Sequence, residues 1–431
     1  MSRKISAVAA AISLLASSQV YAAPKNIIYM IGDGMGPAYT TAYRYYKDDK
    51  TTKVVEPTVF DSILVGMAHT YPDDNTVVTD SAAGATALST AKKSYNGAIA
   101  VDTAKKPLKT MLQMAKEKGM TTALVATSQI NHATPASFAA HNESRRNYDE
   151  IANDYVDVKI AGKLPVDLML GGGTQYFIRE DRNIVSEFKQ AGYQYIDDLN
   201  DLNSLKSVPA IGLFAKKGMP HAIDESPLRL TNMTNKALDL LDQDKNKEGF
   251  FVMIEGSQID WCGHANDIAC AMKEMDDFAQ SIELAKAYVD KNPDTLLVIT
   301  ADHSTGGLTL GADGDYKWER DVVANVKASV KTITQKLKDS KSLEKDWVAL
   351  TGLEYTSEVA EELKEAKSEG DKALFKAINE QINEASYTGW TTGGHTAIDV
   401  QVFAHGKGRE DFIGSQNNTQ IAEKLISFIE R

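Results

Sequence analysis

The feature that most constrains this chain is a repeated unit: an unbroken apolar run that ends in glycine or in a polar turn. It occurs as KNIIYMIGDGMG (25–36), TTALVATS (121–128), VDLMLGGG (166–173), GFFVMIEG (249–256) and DTLLVITADH (294–303). Runs without polar alternation are strands covered on both faces, the condition of a parallel sheet between helical layers. The first predicts a strand over residues 26–31. Between the runs, LKTMLQMAKEK (108–118) and residues 272–288 carry the 3.6-residue period of crossover helices. The expected fold is therefore α/β, a large, mostly parallel central sheet flanked by helices on both faces. In such folds ligands collect beyond the carboxyl ends of the strands.

Residues 309–389 differ. They are rich in Lys and Glu and lack long apolar runs, but Val322, Val326, Val330 and Ile333 recur at helical spacing. This predicts a helical, charged insertion into an α/β catalytic domain formed by 23–308 and 390–431. Residues 1–22 open with Arg3 and Lys4, continue through an apolar run and end in small residues, the pattern of a cleaved signal peptide. The run is too short for a membrane anchor, so the protein is expected to be exported, to the periplasm or beyond.

A net charge of -12 argues against a nucleic-acid partner, which requires a basic stripe. A phosphate-handling site in such a chain would take its positive charge from metal ions. Cys262 and Cys270 lie eight residues apart, and in an exported protein a disulfide is one reading. A zinc pair is the weaker alternative, because there is no CxxC and other ligands are at hand.

The turns after these runs hold the chemistry. In IGDGMG the spacing is GxGxG, not the dinucleotide pattern, and a central aspartate would repel pyrophosphate. Asp33 reads better as a metal ligand. TDSAAGATA places Ser81 ahead of small helix formers, where backbone N–H groups and the helix dipole favour phosphate; an ordinary N-cap is the bland alternative. EGSQIDWCGHAND sets Asp260 and His264 four apart, on one helical face, with Glu255 on the preceding strand end. TADHSTGG offers adjacent Asp302 and His303, and INHATPASFAAHNESRR brings His132, Thr134 and the pair Arg145 and Arg146, a candidate phosphate fork.

Together the ordered motifs D-G-M-G, T-D-S-A-A-G-A-T-A, H-A-T-P-A, E-G-S-Q-I-D-x-x-x-H, T-A-D-H and T-x-G-G-H resemble those of the alkaline phosphatase family over nearly the whole mature chain. The resemblance implies that Asp260, His264 and His395 hold one zinc ion, and that Asp33, Asp302, His303 and Ser81 hold a second. Asp33, Thr134 and Glu255 would complete a third site, usually magnesium. It further implies Ser81 as nucleophile through a phosphoserine intermediate, Arg145 as the phosphate-binding arginine oriented by Asp80, and the charged insertion as a crown-like subdomain. Broad hydrolysis of small phosphate monoesters, an alkaline optimum and a homodimer follow from the same likeness.

Two positions depart from the best-known bacterial pattern. His132 replaces an aspartate near the third metal, which opens that site to zinc, and Trp261 replaces a lysine that reaches phosphate through water. A sulfatase or phosphodiesterase would use another nucleophile motif. A non-catalytic metal or phosphate scavenger would not need Ser81 at a helix start.

Overall fold

The computed structural model describes residues 23–431. The signal-peptide reading of 1–22 lies outside them. Ten strands build one sheet: β1 (Asn26–Gly32), β2 (Leu64–His69), β3 (Thr121–Gln129), β4 (Leu168–Gly172), β5 (Gln194–Ile196), β6 (Ala210–Leu213), β7 (Phe250–Gly256), β8 (Thr295–Thr300), β13 (Val400–Gly406) and β14 (Gly414–Asn417). Two short ribbons pair β9 (Ser304–Thr305) with β12 (His395–Thr396), and β10 (Thr309–Leu310) with β11 (Thr388–Gly389). The order across the sheet is β14-β2-β13-β8-β1-β7-β3-β4-β6-β5. Only β13 is antiparallel to its neighbours, β2 and β8. The mostly parallel α/β architecture is the one expected from the apolar runs.

Strands β1, β3, β7 and β8 are buried almost throughout, which is why their sequences show no alternation. The 108–118 pattern is helical only from Met111 to Glu117, because Thr110 caps it by accepting from the Gln113 N–H. The 272–288 helix is longer, Ile268–Lys291, and starts at Asp267, which accepts from the Cys270 N–H. Cys262 and Cys270 form a disulfide that ties this helix to the Gln258–His264 turn.

The chain beyond β10 is helical, at Arg320–Asn325, Val330–Lys338, Leu343–Thr351, Ser357–Glu369 and Asp371–Ser386, and returns at β11. The valine series expected to lie on one helix spans two. The first ends before Val326, and Ser329 starts the second by accepting from the Thr332 N–H. Val323, not Val322, faces the core. Among the described residues no helix is long and apolar enough to cross a membrane.

Candidate active site

Four adjacent strands, in the order β8-β1-β7-β3, aim their carboxyl ends at one place. Ile31 of β1 pairs with Glu255 of β7 on one side and with Thr300 of β8 on the other. Asp33 and Asp302 each lie two residues past this level, so the register sets them side by side. Asp302 Oδ1 accepts from the Gly34 N–H at 3.1 Å and from its neighbour His303 N–H at 3.0 Å. Gly34 has φ +73°, and a Cβ there would lie 2.8 Å from the Asp260 Cα. The glycine lets β1 turn against the helical turn that carries Asp260.

Ser81 opens the Ser81–Thr90 helix, but it is not the cap. Asp80 is, its Oδ1 accepting from the Ala83 N–H at 2.9 Å and from the Gly97 N–H at 3.0 Å. Ser81 Oγ is therefore free of the backbone. It points at His303 Nε2 (3.2 Å) and Asp33 Oδ1 (3.4 Å).

Three ligand clusters surround this hydroxyl. Asp33, Asp302 and His303 form one, all fully buried. Asp260, His264 and His395 form another, with the two histidine Nε2 atoms 3.1 Å apart and Asp260 Oδ2 3.3 Å from His264 Nε2. The outer ring nitrogens are held by carbonyls, His264 Nδ1 by Gly393 at 2.7 Å and His395 Nδ1 by Thr79 at 2.9 Å, so both Nε2 atoms face inward. The third comprises Asp33, His132 and Glu255, with the buried Thr134 hydroxyl at the start of the Ala133–Ala139 helix.

These donors fit metal ions. Asp33 Oδ2, Asp302 Oδ2, Glu255 Oε1, Thr134 Oγ1 and His132 Nδ1 are buried without hydrogen-bond partners. Buried polar atoms in proteins are nearly always satisfied, and five orphaned donors and acceptors facing shared centres suit cations. The electrostatics agree. Burial, followed by the charges of Asp302, Asp260 and Glu255, raises Asp33 well above the usual carboxylate range. Burial and then Asp260 push Asp302 up to about 7, and burial pushes Glu255 up to about 7. Divalent ions relieve such mutual repulsion. Asp260 goes the other way: burial would raise it, but the His264 hydrogen bond and the charges of His303, His264 and His395 hold it low. Burial and the Arg145 charge depress His132 to about 3, keeping it a neutral imidazole suited to ligation.

Of the two arginines, Arg146 is exposed and Arg145 enters the site. Its Nη1 donates to Asp80 Oδ2 at 3.0 Å, and its Nη2 lies 3.3 Å from His132 Nε2. Trp261 packs edge-on against the His132 ring, with centroids 5.8 Å apart, and its indole lies against Gly218.

One residue escapes notice in the sequence. The Thr305 hydroxyl donates to Asp260 Oδ1 and lies 3.3 Å from His303 Nδ1, so it joins the two clusters. Its signal was only its place two residues past His303, on the ribbon that carries His395 opposite it.

The alkaline phosphatase family model matches residues 24–430. Alkaline phosphatase 3 of Bacillus subtilis is 49% identical over 94% of this chain and 89% of its own length. The solved cold-active alkaline phosphatase from a psychrophilic Shewanella is 48% identical, covers 94% of this chain and 100% of its own, and superposes with a TM-score of 0.90. The alkaline phosphatase from the Antarctic bacterium TAB5 is 30% identical with a TM-score of 0.72, over 95% and 99% of the two chains. A variant of that enzyme with histidine changed to glutamate has been solved with magnesium in its M3 site. The chain belongs to the alkaline phosphatase family, metal-dependent enzymes that hydrolyse phosphate monoesters.

Proposed function

We propose that Ser81 is the nucleophile of a phosphatase that works through a phosphoserine intermediate, with two zinc ions and one magnesium as cofactors. The observation that carries this reading is the Ser81 hydroxyl: buried, at a helix start, and directed at Asp33 and His303 between the ligand clusters. Asp260, His264 and His395 suit one zinc ion, and Asp33, Asp302 and His303 with Ser81 suit the other. Asp33, Glu255 and Thr134, with His132, suit magnesium, and the imidazole also admits zinc there. Bound in these places, the ions supply charge neutralisation for the phosphoryl oxygens and acidify the serine hydroxyl.

Ser81 Oγ attacks phosphorus as the ester P–O bond breaks on the opposite side, and the serine proton ends on the departing oxygen, which leaves as the alcohol. The Ser81–Thr90 helix start favours the phosphate charge. Arg145, steadied by Asp80, presents its guanidinium to two phosphoryl oxygens. Water then attacks phosphorus from the vacated side, the Oγ–P bond breaks, Ser81 regains its proton from that water and inorganic phosphate leaves; two inversions give net retention. Because recognition is confined to the phosphoryl group, a broad range of monoesters is turned over.

The β10–β11 ribbon sets the exit and return of the insertion side by side, which supports reading 309–389 as a crown-like subdomain on a catalytic domain of 23–308 and 390–431. Export through a 1–22 leader and a homodimeric assembly rest on the leader pattern and the family likeness.

The test is p-nitrophenyl phosphate hydrolysis at alkaline pH. Wild type should lose activity on chelation and recover it with zinc plus magnesium, and Ser81→Ala should fall by roughly a thousandfold or more. Acid-quenched wild type should carry labelled phosphate on the peptide containing Ser81. A fully active Ser81→Ala would sink the assignment.

A further inference from the structure

Just ahead of Asp80 and Ser81 the chain is strained. Val77 has φ +64°, and among the described non-glycine residues with positive φ it alone is β-branched. A branched Cβ in this region is a genuine outlier, kept only where surrounding bonds over-determine it, and such outliers gather at functional sites. Packing does not hold Val77 there, since its surface is 61% exposed. One side chain does. Asn96 Nδ2 donates to Thr76 Oγ1 at 3.0 Å and to the Val78 carbonyl at 3.0 Å, one bond on each side of Val77.

The same amide reaches the nucleophile's backbone. Asn96 Oδ1 accepts from the Asp80 N–H at 2.6 Å, one residue before Ser81, and the Asn96 N–H donates to Asp74 Oδ2 at 3.0 Å. Only a carboxamide offers two N–H donors and a carbonyl acceptor on one group; an aspartate of the same shape would have no hydrogen to give Val78. The anchors of the guanidinium are separate. Gly97 donates its N–H to Asp80 Oδ1 at 3.0 Å, and its carbonyl accepts from the Arg145 N–H at 2.8 Å. The Asp80 carboxylate and Arg145 therefore keep their holds without the Asn96 side chain, whereas the main chain entering Ser81 does not.

Resting on the reading of Ser81 as nucleophile, we propose that Asn96 is a positioning residue for the reaction: it locks the strained turn at Val77 and thereby fixes the main chain from which Ser81 Oγ is aimed at phosphorus. Without the amide, Val77 relaxes to negative φ and draws residues 78–80 with it. The strain thus sets the sign of the effect, and it also supplies the means of reversing it, because glycine takes φ +64° freely.

The experiment compares metal-loaded wild type, Asn96→Ala, the double variant Asn96→Ala, Val77→Gly, and Ser81→Ala. Each is assayed for p-nitrophenyl phosphate hydrolysis and for inhibition by inorganic phosphate. In Asn96→Ala, kcat/KM should fall about tenfold or more, since an ångström of misplacement costs up to about a hundredfold. The inhibition constant for phosphate should stay near wild type, because Arg145 and the Asp80 carboxylate keep their anchors. The double variant should recover most of the lost kcat/KM. An unchanged kcat/KM in Asn96→Ala, an inhibition constant that rises in step with the loss, or a double variant no better than the single one would each overturn the proposal. Should Asn96→Ala not fold, Asn96→Asp, which keeps an acceptor for the Asp80 N–H but offers Val78 no donor, must show the same split. Ser81→Ala separates the two readings: if it is as active as wild type, the nucleophile assignment fails and Asn96 has nothing to aim.

Discussion

Asp80 joins the start of the Ser81 helix to Arg145: one carboxylate oxygen caps the helix at the Ala83 N–H, and the other accepts from Arg145 Nη1 at 3.0 Å. The cap and the guanidinium can be separated, because asparagine is as good an N-cap as aspartate but carries no charge. Asp80→Asn should therefore leave thermal stability nearly unchanged and loosen Arg145, raising the inhibition constant for phosphate by about fivefold, the scale of one lost charge-assisted bond. Phosphate titration of p-nitrophenyl phosphate hydrolysis reads the effect. Asp80→Ala should in addition cost about 1 kcal/mol of stability, measurable by denaturant unfolding.

The buried carboxylates carry opposite consequences with and without metal. Asp33 is raised by burial and by Asp302, Asp260 and Glu255, so its charge opposes folding when no cation balances it. Asp33→Asn should melt higher than wild type in chelator. Metals stabilise the native state by mass action, about 4 kcal/mol at a thousandfold excess over Kd. With zinc and magnesium added, the order should reverse. Paired melting curves with and without chelator check both halves, and an unchanged order would refute the charge argument.

Much of this site was legible from local pattern, and the limits of that legibility are physical. Asp33, Asp302 and His303 follow strands buried on both faces and Glu255 lies at the end of one, and such strands announce themselves as unbroken apolar runs. What brings them together is sheet order, and Gly34 meets Asp302 across 268 residues of chain. No local pattern reports that. Strand β2 was invisible because Leu64 is exposed and the next three residues are half-buried, leaving neither alternation nor an apolar run. The choice between Arg145 and Arg146 was also beyond spacing alone. It is made by Asp80, which reaches only the first.

A buried charge cluster behind the site sets the acid limit of stability. Arg229 donates from Nη2 to both oxygens of Glu274 at 2.7 Å and from Nη1 to Asp277 at 3.2 Å, all nearly inaccessible to solvent. Burial would raise Glu274, but Arg229 and His221 hold it down at about 2, against about 4.3 in an unfolded chain. Its stabilisation is therefore complete above about pH 4.3 and is lost as pH falls through about 2. Arg229→Met strands two buried carboxylates and should cost about 3–5 kcal/mol at neutral pH. Mild acidification should restore part of that loss as those carboxyls protonate. Denaturant unfolding of both proteins from pH 7 to pH 4 tests the sign: burial already raises Asp277 to about 6 in wild type, so both gain on acidification, but the variant should gain more and the gap between them should narrow.

Gly34→Ala tests whether the turn itself builds the site. The residue has φ +73°, where alanine is strained by about 1–2 kcal/mol, and its added methyl would press on the Asp260 backbone at 2.8 Å. Backbone, unlike a flexible side chain, cannot swing aside, so Asp260 and the Asp302 oxygen bonded to the Gly34 N–H should both shift. We expect a folded protein of lower melting temperature that binds zinc more weakly, measured by competition with a chromogenic chelator. Zinc affinity equal to wild type would show that the turn does not position these ligands.

Trp261 lies edge-on to His132, which in turn contacts Arg145, so the residue at this position faces the end of the site proposed to bind phosphate. An indole there brings no charge. Trp261→Lys adds an ammonium near the bound phosphoryl group, and at that range a partly screened charge pair is worth about 1 kcal/mol, or roughly fivefold in affinity. Phosphate should bind the variant more tightly, with a lower inhibition constant. If release of phosphate limits turnover, kcat should fall with it while kcat/KM holds. The inhibition constant and kcat, measured on the same metal-loaded preparation, decide the matter: an unchanged inhibition constant would mean that the lysine does not reach the anion and that Trp261 acts only by packing against His132.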